Sequence, residues 1–148
     1  MVKERFQLRS AVYLMLIKDS KILLSRRFNT GWMDGKYSLI AGHLDGGESV
    51  STAMVREAFE EAKIIVDKKD LIPATVIHRV SDVEYMDFFF VAKKWKGEPV
   101  IGEVDKCDDL SWFSLDNLPD NLLPFIKEAI ENYQKKIAFF ESGWEKDC

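Results

Sequence analysis

Residues 42–64 read GHLDGGESVSTAMVREAFEEAKI, and no other stretch of the chain is patterned as densely. Glycines mark a loop at its start, and Ser49 is a suitable N-cap for a helix. Apolar residues then recur at helical spacing up to Ala62. The stretch therefore predicts a glycine-rich loop that leads into a helix over residues 49–62.

Three acidic residues of this helix, Glu57, Glu60 and Glu61, stand at positions i, i+3 and i+4, so their side chains share one face. A like-charge pair at i,i+4 destabilises an isolated helix by roughly 0.2–0.5 kcal/mol. A solvated acidic face is one interpretation of such a pattern. The other is a site for a divalent cation, which would relieve the repulsion and, with oxygen ligands alone, would be magnesium or manganese. Such ions bridge phosphate oxygens and activate water.

The rest of the chain alternates strands with one more helix. Strands are predicted at residues 10–17, 22–24, 37–41, 74–80, 84–92 and 110–113, and a C-terminal helix at 122–137. Three consecutive phenylalanines at 88–90 offer aromatic rings to both faces of a sheet, which predicts a central strand there. We expect a single domain over residues 1–148, with an α/β or α+β sandwich built on a mixed sheet.

Composition limits the partners. Hydrophobic residues make up 47% and charged residues 31%, as in folded globular proteins. The net charge of -4 argues against broad binding to nucleic acid polymers or acidic membranes. The apolar run at 11–17 is too short for a signal peptide or a membrane span. Cys107 and Cys148 suit reduced thiols, so a cytoplasmic location is expected.

The stretch at 42–64 resembles the Nudix box, G-x5-E-x7-R-E-U-x-E-E-x-G-U, where U is a bulky apolar residue. The fixed positions found in register are Gly42, Glu48, Arg56, Glu57, Glu60 and Glu61. By average residue usage, a chance match at these positions is about one in a million or rarer. The pattern is therefore far more specific than an acidic helix face alone.

The resemblance implies a Nudix α/β/α sandwich that uses Mg²⁺, or alternatively Mn²⁺. Homodimers are common in the family, so a homodimer is a further expectation. The metal ligands that it implies are Glu57, Glu60, Glu61 and the carbonyl of Gly42. It also implies that Glu57 orients or deprotonates the attacking water, and that Arg56 pairs with Glu48 to hold the loop and the helix together.

Two positions depart from the family pattern. Lys63 occupies the place of the glycine that usually ends the helix in a left-handed C-cap. Lysine in that conformation would cost roughly 1 kcal/mol, unless the helix ends in another way. Ile40 stands where many relatives have proline, a change that affects only the strand entering the box.

The flanking segments 29–38, 106–113 and 118–119 resemble small Nudix enzymes that act on nucleoside triphosphates. The function expected from this likeness is hydrolysis of a nucleoside triphosphate, oxidised or noncanonical ones included, to a monophosphate and pyrophosphate. Hydrolysis of ADP-ribose, a nucleotide sugar or a dinucleoside polyphosphate is the alternative within the family. A noncatalytic nucleotide-binding regulator is the alternative from another class.

Outside the box, Glu103 lies in a loop where related enzymes carry an acid that reaches the metal from the opposite side. The other acids that compete for this role are Asp105, Asp108 and Asp109.

Substrate contacts are expected from Arg26 or Arg27. These neighbours in an extended strand point to opposite faces, so at most one of them meets the phosphates. Trp32 is expected to stack on a base, with Phe28 as a second candidate; for Trp112, core packing is the favoured interpretation.

Overall fold

The computed structural model describes residues 3–145. Its strands are β1 Arg9–Lys18, β2 Lys21–Arg27, β3 Tyr37–Ser38, β4 Ile40–His43, β5 Ile72–Val80, β6 Glu84–Ala92, β7 Cys107–Ser114 and β8 Phe139–Ser142. Its helices are α1 Val50–Ala62 and α2 Pro124–Gln134, with a single 3-10 turn at Lys68–Asp70.

Strand β1 joins the two parts of the sheet. One part contains β4, β1, β6, β5 and β8, and the other contains β3, β2 and β7. It pairs with β4 on one side and with β6 on the other, and β5 and β8 continue outward from β6. The β1–β6 and β5–β8 pairs are parallel, and the remaining pairs are antiparallel. A short hairpin from β1 leads to β2, which carries β3 and β7. The sheet is therefore mixed, and β6 is central as predicted.

Alternation along β1 creates two apolar cores. Tyr13 and Met15 face one way and pack in a cluster that includes Phe125 and Ile126 of α2. Leu14 faces the other way, into a cluster that includes Ala53, Met54 and Ala58 of α1. A helix thus covers each face of the sheet, which confirms the α/β/α sandwich.

Helix α1 begins and ends where the sequence analysis placed it. Ser49 has an extended backbone, and its side chain accepts a hydrogen bond from the Thr52 N–H. Lys63 ends the helix in the left-handed conformation, with φ 57° and ψ 28°, and its N–H donates to the Phe59 carbonyl. The left-handed turn of the family pattern is therefore kept without its glycine.

The C-terminal prediction was wrong in part. The helix spans Pro124–Gln134 rather than residues 122–137, and Lys136 turns the chain with φ 59°. Strand β8, which the sequence analysis missed, then pairs with β5. Proline at the first position explains the late start, because it suits the first helical turn and restricts the residue before it.

The predicted strand at 37–41 is two short strands, β3 and β4, which pair with different partners. The last predicted strand, 110–113, begins earlier and spans Cys107–Ser114. Neither helix of the described chain has the length and apolar character to cross a membrane. Cys148 lies outside the described residues, and Cys107 is a half-buried free thiol.

The cap at Lys63 gives a test of the helix end. A β-carbon is strained in the left-handed conformation, so we expect Lys63→Gly to raise the free energy of unfolding by about 0.5–1 kcal/mol, measured by urea denaturation. Lys127→Gly, at an exposed position inside α2, is the matched control and should cost about 1 kcal/mol. An equal loss in both variants would contradict strain at Lys63.

Candidate functional site

A cavity of about 660 Å³ opens between the two parts of the sheet and the helices. Its acidic end is lined by Gly42, Glu57, Glu60, Glu61 and Glu103. Another part of its lining, which we call the aromatic end, is formed by Tyr13, Arg79, Tyr85 and Phe125. Pockets of a few hundred to a thousand Å³ are usual for small-molecule ligands, so the cavity has room for a nucleotide.

Gly42 lets β4 lie directly on α1 at the acidic end. A β-carbon built on Gly42 would come within 2.0 Å of the Glu57 carboxyl carbon, far inside van der Waals contact. A larger residue would displace this side chain. The box glycine is therefore explained by the space that Glu57 needs beneath the strand.

Glu57 and Glu61 are the acids of the cavity lining whose pKa values are raised. Burial raises the pKa of Glu57, although Arg56 opposes the shift. Glu61 as a whole residue is partly exposed, but its carboxylate is buried, and this burial raises its pKa to about 8. The charges of Glu57 and Glu103 contribute to that rise, while a 2.8 Å hydrogen bond from the Ala41 N–H opposes it.

Arg56 links the glycine-rich loop to the helix. Its Nη2 lies 2.6 Å from Glu48 Oε1, and its Nε lies 3.1 Å from Glu48 Oε2, a two-point contact with one carboxylate. Its Nη1 donates to Glu57 Oε1 at 2.7 Å and lies 3.4 Å from Glu60 Oε2. The structure thus brings together the predicted Arg56–Glu48 pair and two of the predicted metal ligands.

Glu103 is the acid that the loop before β7 brings to the cavity. The preceding residue, Gly102, donates its N–H to the Glu61 carbonyl at 2.8 Å, and a β-carbon on it would come within 2.1 Å of the Glu60 carbonyl oxygen. The sequence analysis missed Gly102, which shows no motif of its own. Its close contact with α1 sets the position of Glu103.

The competing acids of that region do not line the cavity. Asp108 lies 2.7 Å from Arg26 in an ion pair, and Asp109 accepts hydrogen bonds from Tyr37 and Ser111. Asp105 is exposed and is also outside the lining.

The two adjacent arginines of β2 have different surroundings, as the strand geometry predicts. Arg27 lines the cavity, and its guanidinium lies 4.9 Å from the centre of the Trp32 ring. It donates to the Trp32 carbonyl at 2.7 Å and to Thr30 Oγ1 at 3.0 Å. Arg26 is outside the lining and is held by Asp108. Arg27 rather than Arg26 is therefore placed to meet a ligand in the cavity.

Of the aromatic candidates, Trp32 lines the cavity and Phe28 does not. Trp112 packs against the core beside α1, with its ring centre 5.9 Å from that of Trp95, which confirms the core interpretation.

The acidic end fits a divalent cation by the chemistry of its donors. Glu57 and Glu61 face the cavity, and burial raises the pKa of both carboxyl groups, with neighbouring negative charges adding to the rise. A bound cation would favour their ionised forms. All the side-chain donors are carboxylate oxygens, the ligands that Mg²⁺ and Mn²⁺ prefer. Within residues 3–145, no three acidic, histidine or cysteine side chains are already arranged to hold a metal ion.

The sequence analysis missed the aromatic end altogether. Arg79 and Tyr85 are paired neighbours on β5 and β6, and Phe125 comes from α2. The only signal was a charged residue on a strand that otherwise alternates towards the core. That signal does not distinguish a buried ion pair from a ligand contact.

Residues 7–133 match the NUDIX domain family. The chain therefore belongs to the Nudix family, as the resemblance implied. The MutT NUDIX hydrolase from Burkholderia pseudomallei is similar in structure, with a TM-score of 0.79 and 28% identity over 85% of this chain and 98% of that one.

Curated relatives differ in what their names say they act on. NAD-capped RNA hydrolase NudC of Pseudomonas aeruginosa is 29% identical over 76% of this chain, but the match covers only 38% of that protein. ADP-ribose pyrophosphatase of Methanocaldococcus jannaschii is 32% identical, covering 79% of this chain and 69% of the relative. Oxidized purine nucleoside triphosphate hydrolase of Danio rerio is 28% identical, covering 72% and 66%.

The raised pKa of Glu61 predicts how the metal-free protein responds to pH. Its pKa rises from the ordinary 4.5 to about 8, so its contribution to stability is complete below 4.5 and is lost as the pH rises through about 8. With chelator present, Glu61→Gln should therefore gain stability over the wild type between pH 5 and pH 9, by at least about 1 kcal/mol.

Urea denaturation across this pH range measures the difference. Glu60→Gln, whose side chain is 49% exposed, is the matched control and should keep the wild-type pH dependence. A wild-type profile in Glu61→Gln would show that the Glu61 carboxylate is well solvated.

Proposed function

We propose that this chain hydrolyses a phosphoric anhydride bond of a nucleotide, and that its substrate is a nucleoside triphosphate, cleaved to a monophosphate and pyrophosphate. The observation that carries the proposal is the meeting of the α1 carboxylates with Glu103 at one end of a cavity large enough for a nucleotide. All four charged positions of the REAFEE core at residues 56–61 are kept, which argues against a noncatalytic regulator.

Glu57, Glu60, Glu61 and Glu103 would hold Mg²⁺ or Mn²⁺, with the Gly42 carbonyl as a further ligand. When bound, such a cation neutralises phosphate charge and lowers the pKa of water. Within the chain, Glu57 is the residue we assign to orient or deprotonate the attacking water.

Arg56 and Glu48 act as positioning residues. Their contact holds the loop against the helix, and a displacement of about 1 Å in reacting groups can cost 10²-fold in rate. Arg27 is placed to meet the substrate phosphates, and Trp32 beside it offers a ring to the bound nucleotide.

The triphosphate preference draws on the flanking likeness seen in the sequence and on the oxidized purine nucleoside triphosphate hydrolase of Danio rerio. The ADP-ribose pyrophosphatase of Methanocaldococcus jannaschii makes ADP-ribose the second candidate. We propose that nucleic acid polymers are not substrates. The substrate test includes NAD-capped RNA because a relative is named NAD-capped RNA hydrolase.

Removing one acid from the cluster should stop turnover without unfolding the protein. We expect Glu57→Gln and Glu61→Gln each to lower kcat by at least about 10²-fold, because each removes a charged oxygen from a site that must stabilise phosphate charge. Circular dichroism checks the fold. Glu98→Gln, an exposed residue outside the cavity, is the control and should keep wild-type rates. Normal turnover in either cavity variant would contradict its assigned role.

The products identify the bond that is cleaved. Incubation of a triphosphate with Mg²⁺ in ¹⁸O-labelled water should give a monophosphate and pyrophosphate, with the label in only one of them. Label in the monophosphate would place attack on the α-phosphorus, and label in pyrophosphate on the β-phosphorus. Inorganic phosphate and a diphosphate would contradict the proposal.

A substrate panel under the same conditions should include ADP-ribose, a nucleotide sugar, a dinucleoside polyphosphate and NAD-capped RNA. Cleavage of one of these compounds, with every triphosphate left intact, would contradict the proposed triphosphate substrate. It would leave the proposed role of the glutamates in place.

A further inference from the structure

Arg79 is held at the aromatic end of the cavity between two aromatic faces. Its guanidinium carbon lies 4.3 Å from the ring centre of Tyr85 and 4.3 Å from that of Phe125. The side chain is only 10% exposed, yet it contributes to the cavity wall. Packing of this kind holds a planar group in one orientation, as a recognition contact requires.

Asp87 holds Arg79 in place and is itself hidden from the cavity. The Arg79 Nε donates to Asp87 Oδ2 at 2.6 Å, and Nη2 lies 3.5 Å from Oδ1. Asp87 is fully buried and is not part of the cavity lining. The Tyr13 hydroxyl is a further hydrogen-bond partner of Arg79. A guanidinium has five N–H donors, so these contacts with Asp87 and Tyr13 do not use all of them.

The charges at this end favour a neutral ligand group over a phosphate. Asp87 balances the charge of Arg79 at close range, and burial together with Asp87 raises the pKa of Tyr13, which keeps that hydroxyl neutral. Asp82 at the rim accepts hydrogen bonds from Ser81 and the Val83 N–H through one carboxylate oxygen. The aromatic end therefore offers donor N–H groups in a planar setting with little net charge.

A guanidinium donates hydrogen bonds and accepts none. A carbonyl oxygen and ring nitrogen on the edge of a base, as in 6-oxopurines, match two adjacent donors, and arginine is the usual partner of that edge. The 6-amino group of adenine would place a donor against a donor, leaving both unpaired at a cost in affinity.

We propose that Arg79 is a substrate-specificity residue that selects a nucleobase with a 6-oxo edge over one with a 6-amino edge. The proposal rests on the proposed function, since it places the phosphates at the acidic end and the base at the aromatic end. Its structural alternative is that the Arg79–Asp87 pair only supports the core.

The test compares ITP with ATP, whose bases differ at the purine 6-position. We expect the wild type to show kcat/KM at least about tenfold higher for ITP, and calorimetry to show IMP binding tighter than AMP by a similar factor. Arg79→Lys keeps a cation for Asp87 but loses the planar pair of donors, so it should bring both ratios to within about threefold of unity. Arg26→Lys, outside the cavity, is the matched control and should keep the wild-type ratios.

Equal treatment of the two purines by an active wild type would overturn this inference alone, and that comparison needs no variant. Wild-type ratios in Arg79→Lys would also overturn it and leave Arg79 as a core residue. Selective binding of IMP by a protein that cleaves no triphosphate would overturn the proposed function and uphold the recognition of the base.

Discussion

The contact between Arg56 and Glu48 is the constraint on which the site depends. Glu57, Glu60 and Glu61 crowd one face of α1, and the guanidinium of Arg56 reaches two of them while it grips Glu48 from the loop. Without the positive charge of Arg56, the like charges would repel one another along the helix, and the loop would lose its contact with α1. One residue thus stabilises the acidic face and sets the path of the chain that enters it.

Close backbone packing provides the second constraint. Gly42 lets β4 approach Glu57, and Gly102 brings the loop before β7 onto the end of α1. Between these contacts, carboxylates from the helix and from the loop meet at one end of the cavity. The raised pKa values of Glu57 and Glu61 are a consequence of that packing, since burial and the neighbouring negative charges disfavour the charged forms. The same features make the site suited to a divalent cation.

Local patterns predicted much of this arrangement. The cap at Ser49, the helical spacing up to Ala62 and the central strand at 88–90 are all properties of short segments, and the structure confirms them. Strand β8 was missed because its place in the sheet depends on pairing with β5, more than sixty residues earlier. Arg79 was missed because only the fold brings Tyr85 and Phe125 to its two faces. The choice of Glu103 over its acidic neighbours likewise required the contact of Gly102 with α1.

The central claim is that Arg56 and Glu48 act as one unit to organise a cation site. Titration with Mn²⁺, followed by the electron paramagnetic resonance of the free ion, tests it in the wild type, Arg56→Ala, Glu48→Ala and the double variant. We expect each single change to weaken Mn²⁺ binding by at least about tenfold, and the double change to add little, because the second residue acts through the first. Wild-type affinity in both single variants, or losses that add fully in the double variant, would contradict the account.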